Sequence, residues 1–253
     1  MPDSPVRQVG SLRFTAAPFS RATAHLYDLA CEPKGVSIHF ANAYTIALAD
    51  EDSSYRSLLN GAQSIVFPDG TPVVWAGKLL ERDPGVVWNR VYGPDVMTDL
   101  LRRSNHIESP VKHYLLGGSD ETLAALVAHI RTTYPLARIA GTASPPFRKL
   151  STQERRDQDA RIIESGATCV WVGLGTPKQD WEAARLAAEV GMPVFAVGAA
   201  FDFLSGSKRQ APVWMQQSGL EWAFRMATEP RRLAKRYMWG NPKFVQSVLK
   251  HRR

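Results

Sequence analysis

The chain has 253 residues, 44% hydrophobic and 22% charged, with a formal net charge of +7. That length and composition exclude disordered and fibrous classes and predict one or two domains around a core that needs no covalent staple. Two isolated cysteines, Cys31 and Cys169, and six histidines without HxxxH spacing exclude a disulfide scaffold and a zinc module, so a reducing compartment, no metal and no cofactor are expected.

In chain order, Met1 to Thr15 lacks an apolar core of signal-peptide length. Val36 to Phe40 predicts a strand that meets Ala41-Asn42, and a helix follows over 43–49. Ser64 to Phe67 predicts a second strand ending in Pro68-Asp69-Gly70, with Pro72 suited to the first turn of a helix over 72–81. Val91 to Asp95 opens a helix running to about Arg103. His113 to Leu116 reads as a strand ending in Gly117-Gly118-Ser119, with a helix to about Tyr134, and 137–140 as a short strand. Ser151 and Glu154 have capping-box spacing. Thr168 to Val172 meets Gly173-Leu174-Gly175-Thr176-Pro177, a helix follows over 178–189, and Pro193 to Val197 ends in Gly198-Ala199-Ala200. The longest apolar run, Val194 to Leu204, is broken by Asp202 and is too short to span a bilayer.

This alternation predicts an α/β fold, a mostly parallel Rossmann-like sheet with helices on both faces. Ligands of such sheets bind beyond the carboxyl ends of the strands, so Asn42, Asp69, Gly117, Gly118, Gly173, Gly175, Gln179 and Asp202 are candidates to converge on one cleft. After about Ser205 the alternation stops and Trp, Arg and Tyr become dense. The expected organisation is an N-terminal extension over 1–30, an α/β core over 31–205 and a basic helical C-terminal appendage over 206–253 within the same domain. The charge is polarised: residues 225–253 carry +8 and the rest −1. Such a tail suits a polyanionic partner, phospholipid or nucleic acid.

Gly173-Leu174-Gly175 resembles a dinucleotide-binding turn, where backbone amides and glycine allow close approach of a phosphate. Lys178 stands where a third glycine belongs, and Pro177 removes a donor, so a nicotinamide enzyme is disfavoured. Pro68-Asp69-Gly70 reads either as a turn or as a carboxylate held at the sheet edge as a general base; the base needs partial burial to raise its proton affinity. In the segment 229–237, Arg232 and Arg236 share a helical face, with Arg225 at compatible spacing, and arginine forks suit diphosphate oxygens.

Six motifs together resemble the WecG/TagA/CpsF glycosyltransferases: Ala41-Asn42-Ala43; Phe67-Pro68-Asp69-Gly70-Thr71-Pro72; Arg90 to Asp95; Leu115 to Gly118; Gly173 to Asp180; and Val197 to Asp202. The ending Glu229-Pro230-Arg231-Arg232 through Arg236-Tyr237 is similar too, and the resemblance spans about residues 35–240. It implies transfer of a sugar, N-acetylmannosamine or one like it, from a UDP-sugar to a polyprenyl-diphosphate-linked saccharide in cell-surface polysaccharide biosynthesis, with inversion and without metal. It casts Asp69, Asn42 and Arg90 as catalytic, and Gly117, Gly118, Gly173, Gly175, Pro177, Lys178, Gln179, Gly198 and Asp202 as the UDP-sugar site. Arg225, Arg232 and Arg236 become diphosphate and membrane contacts. Phe40 departs from the threonine many members carry two residues before the asparagine. The expected partners are the donor, the lipid-linked acceptor and an anionic membrane surface at the inner face of the cell membrane, with no nucleic acid; a homo-oligomer is left open. The alternative, an α/β protein binding nucleic acid through its basic tail, gives no reason for Pro68-Asp69-Gly70 or Thr176 to Gln179. A UDP-sugar epimerase would want a bound nicotinamide.

Overall fold

The computed structural model describes residues 4–252, apart from the side chains of Val213, Gln217, Arg232 and Lys235; the predicted diphosphate contact Arg232 thus lies outside the described residues. Six parallel strands form the central sheet. They are β3 (Val36–Ala41), β4 (Ser64–Pro68), β5 (Lys112–Gly117), β6 (Arg138–Ala143), β7 (Cys169–Gly173) and β8 (Pro193–Ala196), in the order β4-β3-β8-β7-β5-β6. The interior strand β3, Val-Ser-Ile-His-Phe-Ala, is buried at every position, as a parallel strand covered on both faces requires.

Side chains alternate across the pleat. Ile38, Leu115, Trp171 and Phe195 face a core closed by α1 (Phe19–Cys31), α5 (Gly93–Ser104), α6 (Asp120–Thr133) and α9 (Ala200–Leu204). Leu116, Val170, Val172 and Val194 face the opposite side, against α8 (Lys178–Val190) and Ile162 of α7 (Thr152–Glu164). There, too, α2 (Ala43–Glu51) and α3 (Ser53–Leu59) pack beside the antiparallel pair β1 (Val6–Val9) and β2 (Leu12–Thr15), joined by Val73 and Val74 of α4 (Thr71–Leu80). The predicted capping box forms: Ser151 Oγ accepts from Glu154 N–H, and the Glu154 carboxylate accepts from Ser151 N–H.

Both chain ends pack onto the core. Residues 6–31, read as an extension, contribute Val9, Leu12, Phe14, Ala22 and Leu26 to the core, because β1–β2 and α1 cover apolar surface that the sheet and its helices leave open. At the other end, α10 (Val213–Gln217) and α11 (Glu221–Thr228) precede the long α12 (Pro230–Lys250), which packs along α2. Leu233, Phe244 and Ser247 of α12 are buried, and Ser247 Oγ accepts a hydrogen bond from Ser11 N–H at 3.1 Å. The far half of α12 is therefore continuous with the core.

Candidate active site

The chain runs β3 to β4 at one edge, crosses to β5 and β6 at the other, and returns through β7 and β8 to the middle. The crevice beyond β3, β4, β7 and β8 lies at this reversal, where open α/β sheets bind ligands. Asn42 follows β3, Asp69 follows β4, Gly175 follows β7 and Gly198 follows β8.

Asp69 is held by its main chain. Its N–H donates to the Ala41 carbonyl at 3.0 Å, and the neighbouring Pro68 carbonyl accepts from Val91 N–H at 2.8 Å, drawing the loop before α5 against the sheet. That loop delivers Arg90, whose Nε donates to the Asp69 carbonyl at 2.7 Å. The Asp69 carboxylate accepts from Gly93 N–H at 3.3 Å. Removal from water pushes its pKa up to about 6; Arg90, Gly93 N–H and Arg225 pull it down, while the Glu221 carboxylate pushes it further up. A carboxylate tuned this way can accept a proton near neutral pH.

Asn42 caps α2: its Oδ1 accepts from Tyr44 N–H at 3.1 Å and Thr45 N–H at 3.3 Å. The same oxygen accepts from Arg236 Nη2 at 3.3 Å, and Arg236 lies over the Tyr44 ring. Gln179 is buried and spans two junctions, its Oε1 accepting from Gly175 N–H at 3.0 Å and its Nε2 donating to the Ala196 carbonyl at 3.1 Å. Both polar ends of Gln179 thus brace the loops that would face a ligand.

Two cavities meet at Asp69. The larger, about 350 Å³, is walled by Tyr44, Trp222, Leu233, Tyr237 and Phe244 and reaches Asn42, Asp69, Arg90, Arg225 and Arg236. The smaller recess, about 80 Å³, is lined by Phe40, Tyr92, Gly175, Gln179, Val197 and Gly198 and shares Asn42, Asp69, Arg225 and Arg236 with the first. Phe40, at the position of the family's threonine, stacks on Phe67 and supplies an apolar wall.

The structure thus brings together Asn42, Asp69, Arg90, Gly175, Gln179, Gly198, Arg225 and Arg236. The other predicted site residues whose side chains are described lie outside both linings. Close packing accounts for two glycines: a Cβ on Gly117 would stand 2.6 Å from the Gly173 carbonyl oxygen, and one on Gly173 2.8 Å from the Phe201 ring. Gly118 turns at φ +75° beside Thr122. Pro177 precedes α8 and Lys178 is exposed on its first turn. Asp202 is ion-paired with Lys208 at 2.5 Å, and Lys208 lies 3.6 Å from Glu229.

Sequence reasoning missed Glu221. Its carboxylate accepts from Arg90 Nη2 at 2.5 Å and Tyr92 Oη at 2.9 Å and lies 4.0 Å from Arg225 Nη1. The one local signal was its spacing of four residues from Arg225. Arg225 Nε is buried with no hydrogen-bond partner among the described residues.

The profile of the Glycosyl transferase WecG/TagA/CpsF family matches residues 7–253. The chain belongs to this family. It is a glycosyltransferase, and the match begins well before the stretch that its motifs alone marked out. A curated relative, the N-acetylglucosaminyldiphosphoundecaprenol N-acetyl-beta-D-mannosaminyltransferase of Bacillus spizizenii (strain ATCC 23059 / NRRL B-14472 / W23), is 28% identical over 254 residues, covering 98% of this chain and 92% of the relative.

Proposed function

We propose that this glycosyltransferase moves N-acetylmannosamine, or a closely similar sugar, from UDP to an N-acetylglucosamine carried on a polyprenyl diphosphate, with inversion at the anomeric carbon and without metal. The observation that carries the reading is Asp69, a carboxylate with proton affinity raised toward neutrality where an apolar cavity and a glycine-edged recess meet. The Bacillus spizizenii relative is named for mannosaminyl transfer to a diphosphoundecaprenol-linked N-acetylglucosamine, which supports the same donor sugar and acceptor class here.

In this reading the nucleotide diphosphate enters on the Gly175 and Gly198 side, and the acceptor lies along Trp222, Leu233 and Tyr237. Asp69 takes the proton of the acceptor hydroxyl as its oxygen attacks the anomeric carbon, and the bond to the UDP oxygen breaks on the opposite face. One displacement needs one base and inverts the sugar. Arg225 and Arg236 stabilise the charge that builds on the departing diphosphate, and the unpaired Arg225 Nε suits such an oxygen. Asp202 accepts from the uracil ring N–H by sharing its carboxylate with Lys208.

Among the described residues no helix is long and apolar enough to cross a membrane. We place the enzyme on the inner face of the cell membrane through residues 206–253, where Trp214, Trp222, Met238, Val245 and Leu249 are exposed beside a strongly basic sequence. Mass spectrometry of products from a panel of UDP-sugars with a short-chain lipid-diphosphate N-acetylglucosamine tests the reading. A mass gain of one N-acetylhexosamine from UDP-N-acetylmannosamine is expected. No transfer from any UDP-sugar overturns it.

A further inference from the structure

Glu221 and Arg90 stand 131 positions apart in sequence, yet their side chains meet at the base of the cleft. Arg90 has two jobs there: Nε binds the main-chain carbonyl of Asp69, and Nη2 binds Glu221. Both partners of the pair are largely buried, with side-chain exposures of 21% and 13%. The Tyr92 hydroxyl takes the second oxygen of Glu221, and the Arg90 guanidinium lies 3.9 Å from the centroid of the Tyr92 ring. The fork is thereby held against Tyr92 and turned toward α11.

We propose that Glu221 is a positioning residue for the transfer reaction: by holding Arg90 it keeps that guanidinium from closing an ion pair with the Asp69 carboxylate, and it leaves a negative charge beside the base. The inference rests on the assignment of Asp69 as base. The physical reason is direct. A bidentate arginine on Asp69 would stabilise its ionised form and make it a poor proton acceptor. With Arg90 engaged by Glu221 and by a main-chain oxygen, the carboxylate meets the guanidinium's charge at longer range and meets an opposing charge as well.

The charged and titratable groups facing Asp69 are Arg90 and Tyr92 from the loop before α5, Glu221 and Arg225 from α11, and Arg236 from α12; Asp95 at the start of α5 interacts with the same Arg90 and Glu221. Glu221 is the carboxylate that touches Arg90 directly. It belongs to a C-terminal helix, so the proton affinity of a base carried by β4 depends on the seating of α11. Seating that helix also brings Arg225 to the cleft, since Glu221 and Arg225 are one turn apart. Base tuning and leaving-group stabilisation are thus carried by one helix.

The test follows the Asp69 carboxyl itself. In full-length protein labelled with ¹³C at aspartate carboxyls, the Asp69 resonance, assigned by its loss in Asp69→Asn, is titrated in wild type and in Glu221→Gln. Glutamine keeps an acceptor for Arg90 but removes the charge. The midpoint is expected near 6 in wild type and lower by about 0.5–1 pH unit in Glu221→Gln. The acid limb of kcat/KM for the transfer should move with it. A midpoint that stays in place, with activity and melting temperature lowered, gives Glu221 a merely structural role and overturns the inference. Should Glu221→Gln fail to fold, Glu221→Asp reads the same quantity: retracting the carboxylate by one methylene loosens Arg90 and moves the midpoint the same way by less, and no movement overturns the inference. Full transfer by Asp69→Asn would instead sink the assignment of the base, whatever Glu221 does to the titration.

Discussion

Replacing Asp69 by Asn separates catalysis from stability. The raised pKa means that the folded protein holds a proton on Asp69 more tightly than the unfolded chain does, about 6 against 3.8. Stability from this group is therefore fully present below about pH 4 and is lost as pH rises through about 6. At pH 7.5 the ionised carboxylate costs about 3 kcal/mol, since each tenfold change in proton affinity is worth about 1.4 kcal/mol. Asparagine keeps the oxygen that accepts from Gly93 N–H and carries no charge to desolvate. The variant should melt several degrees higher than wild type at pH 7.5, at roughly 2–4 °C per kcal/mol for a chain of this size, and the gap should close toward pH 4. Turnover should fall by about 10²–10⁴, the usual contribution of general-base assistance. Paired thermal melts and transfer assays across pH 4–8 check both halves. A variant that melts lower at pH 7.5, or transfers at near the wild-type rate, refutes the account of Asp69 as a base held ionised at a cost to the fold.

Gln179→Ala should raise KM for the UDP-sugar and weaken UDP binding in calorimetry, because both braced loops lose a partner and the freed buried groups cost about 1–3 kcal/mol. Gly173→Ala should lower the melting temperature by an amount equivalent to about 1–3 kcal/mol, since its Cβ would press on the Phe201 ring at 2.8 Å; an unchanged melt would argue that the glycine serves a ligand instead. Charge reversal of Arg231 together with Met238→Ala, seven residues apart on the exposed surface of α12, should reduce flotation with anionic vesicles about tenfold or more and leave the melt unchanged. Deleting the chain after Met226 is expected to destabilise the fold as well as to block transfer, because it strips the buried Leu233, Phe244 and Ser247 from the core; circular dichroism reads that loss.

The central strands were legible because each is a short apolar run ending in glycine, proline, asparagine or aspartate, and β-strands buried on both faces need little else. The predicted helix over 72–81 and the strand over 64–67 lie within a residue of α4 and β4 for that reason. The hairpin β1–β2 and helices α1 and α3 passed unnoticed: Val6–Val9 and Leu12–Thr15 are four-residue strands whose stability comes from covering Ala41, Ile46 and Val66, which are distant in sequence. Asp69 and Asn42 were visible as polar residues at strand ends. That Asn42 spends its oxygen on the α2 cap and on Arg236, and Gln179 both its polar ends on two loops, was not visible, because a hydrogen-bond partner is a matter of three-dimensional proximity.

Read alone, the order of residues determined the strand–helix alternation, the concentration of positive charge after residue 224, the family, and the carboxylate at the end of β4. Those depend on local periodicity, composition and short motifs, which survive in one dimension. The tertiary structure decided which candidates share a cleft. It gathered Asp69, Arg90, Arg225 and Arg236 around two meeting cavities, turned Gly117 and Gly173 to packing, set Asp202 against Lys208, and brought in Glu221 from the helix that carries Arg225. The proton affinity of Asp69 belongs to the same class of fact, because desolvation and the charges of Arg90, 21 positions away, and of Glu221, on a distant C-terminal helix, reach it only when the chain closes around it.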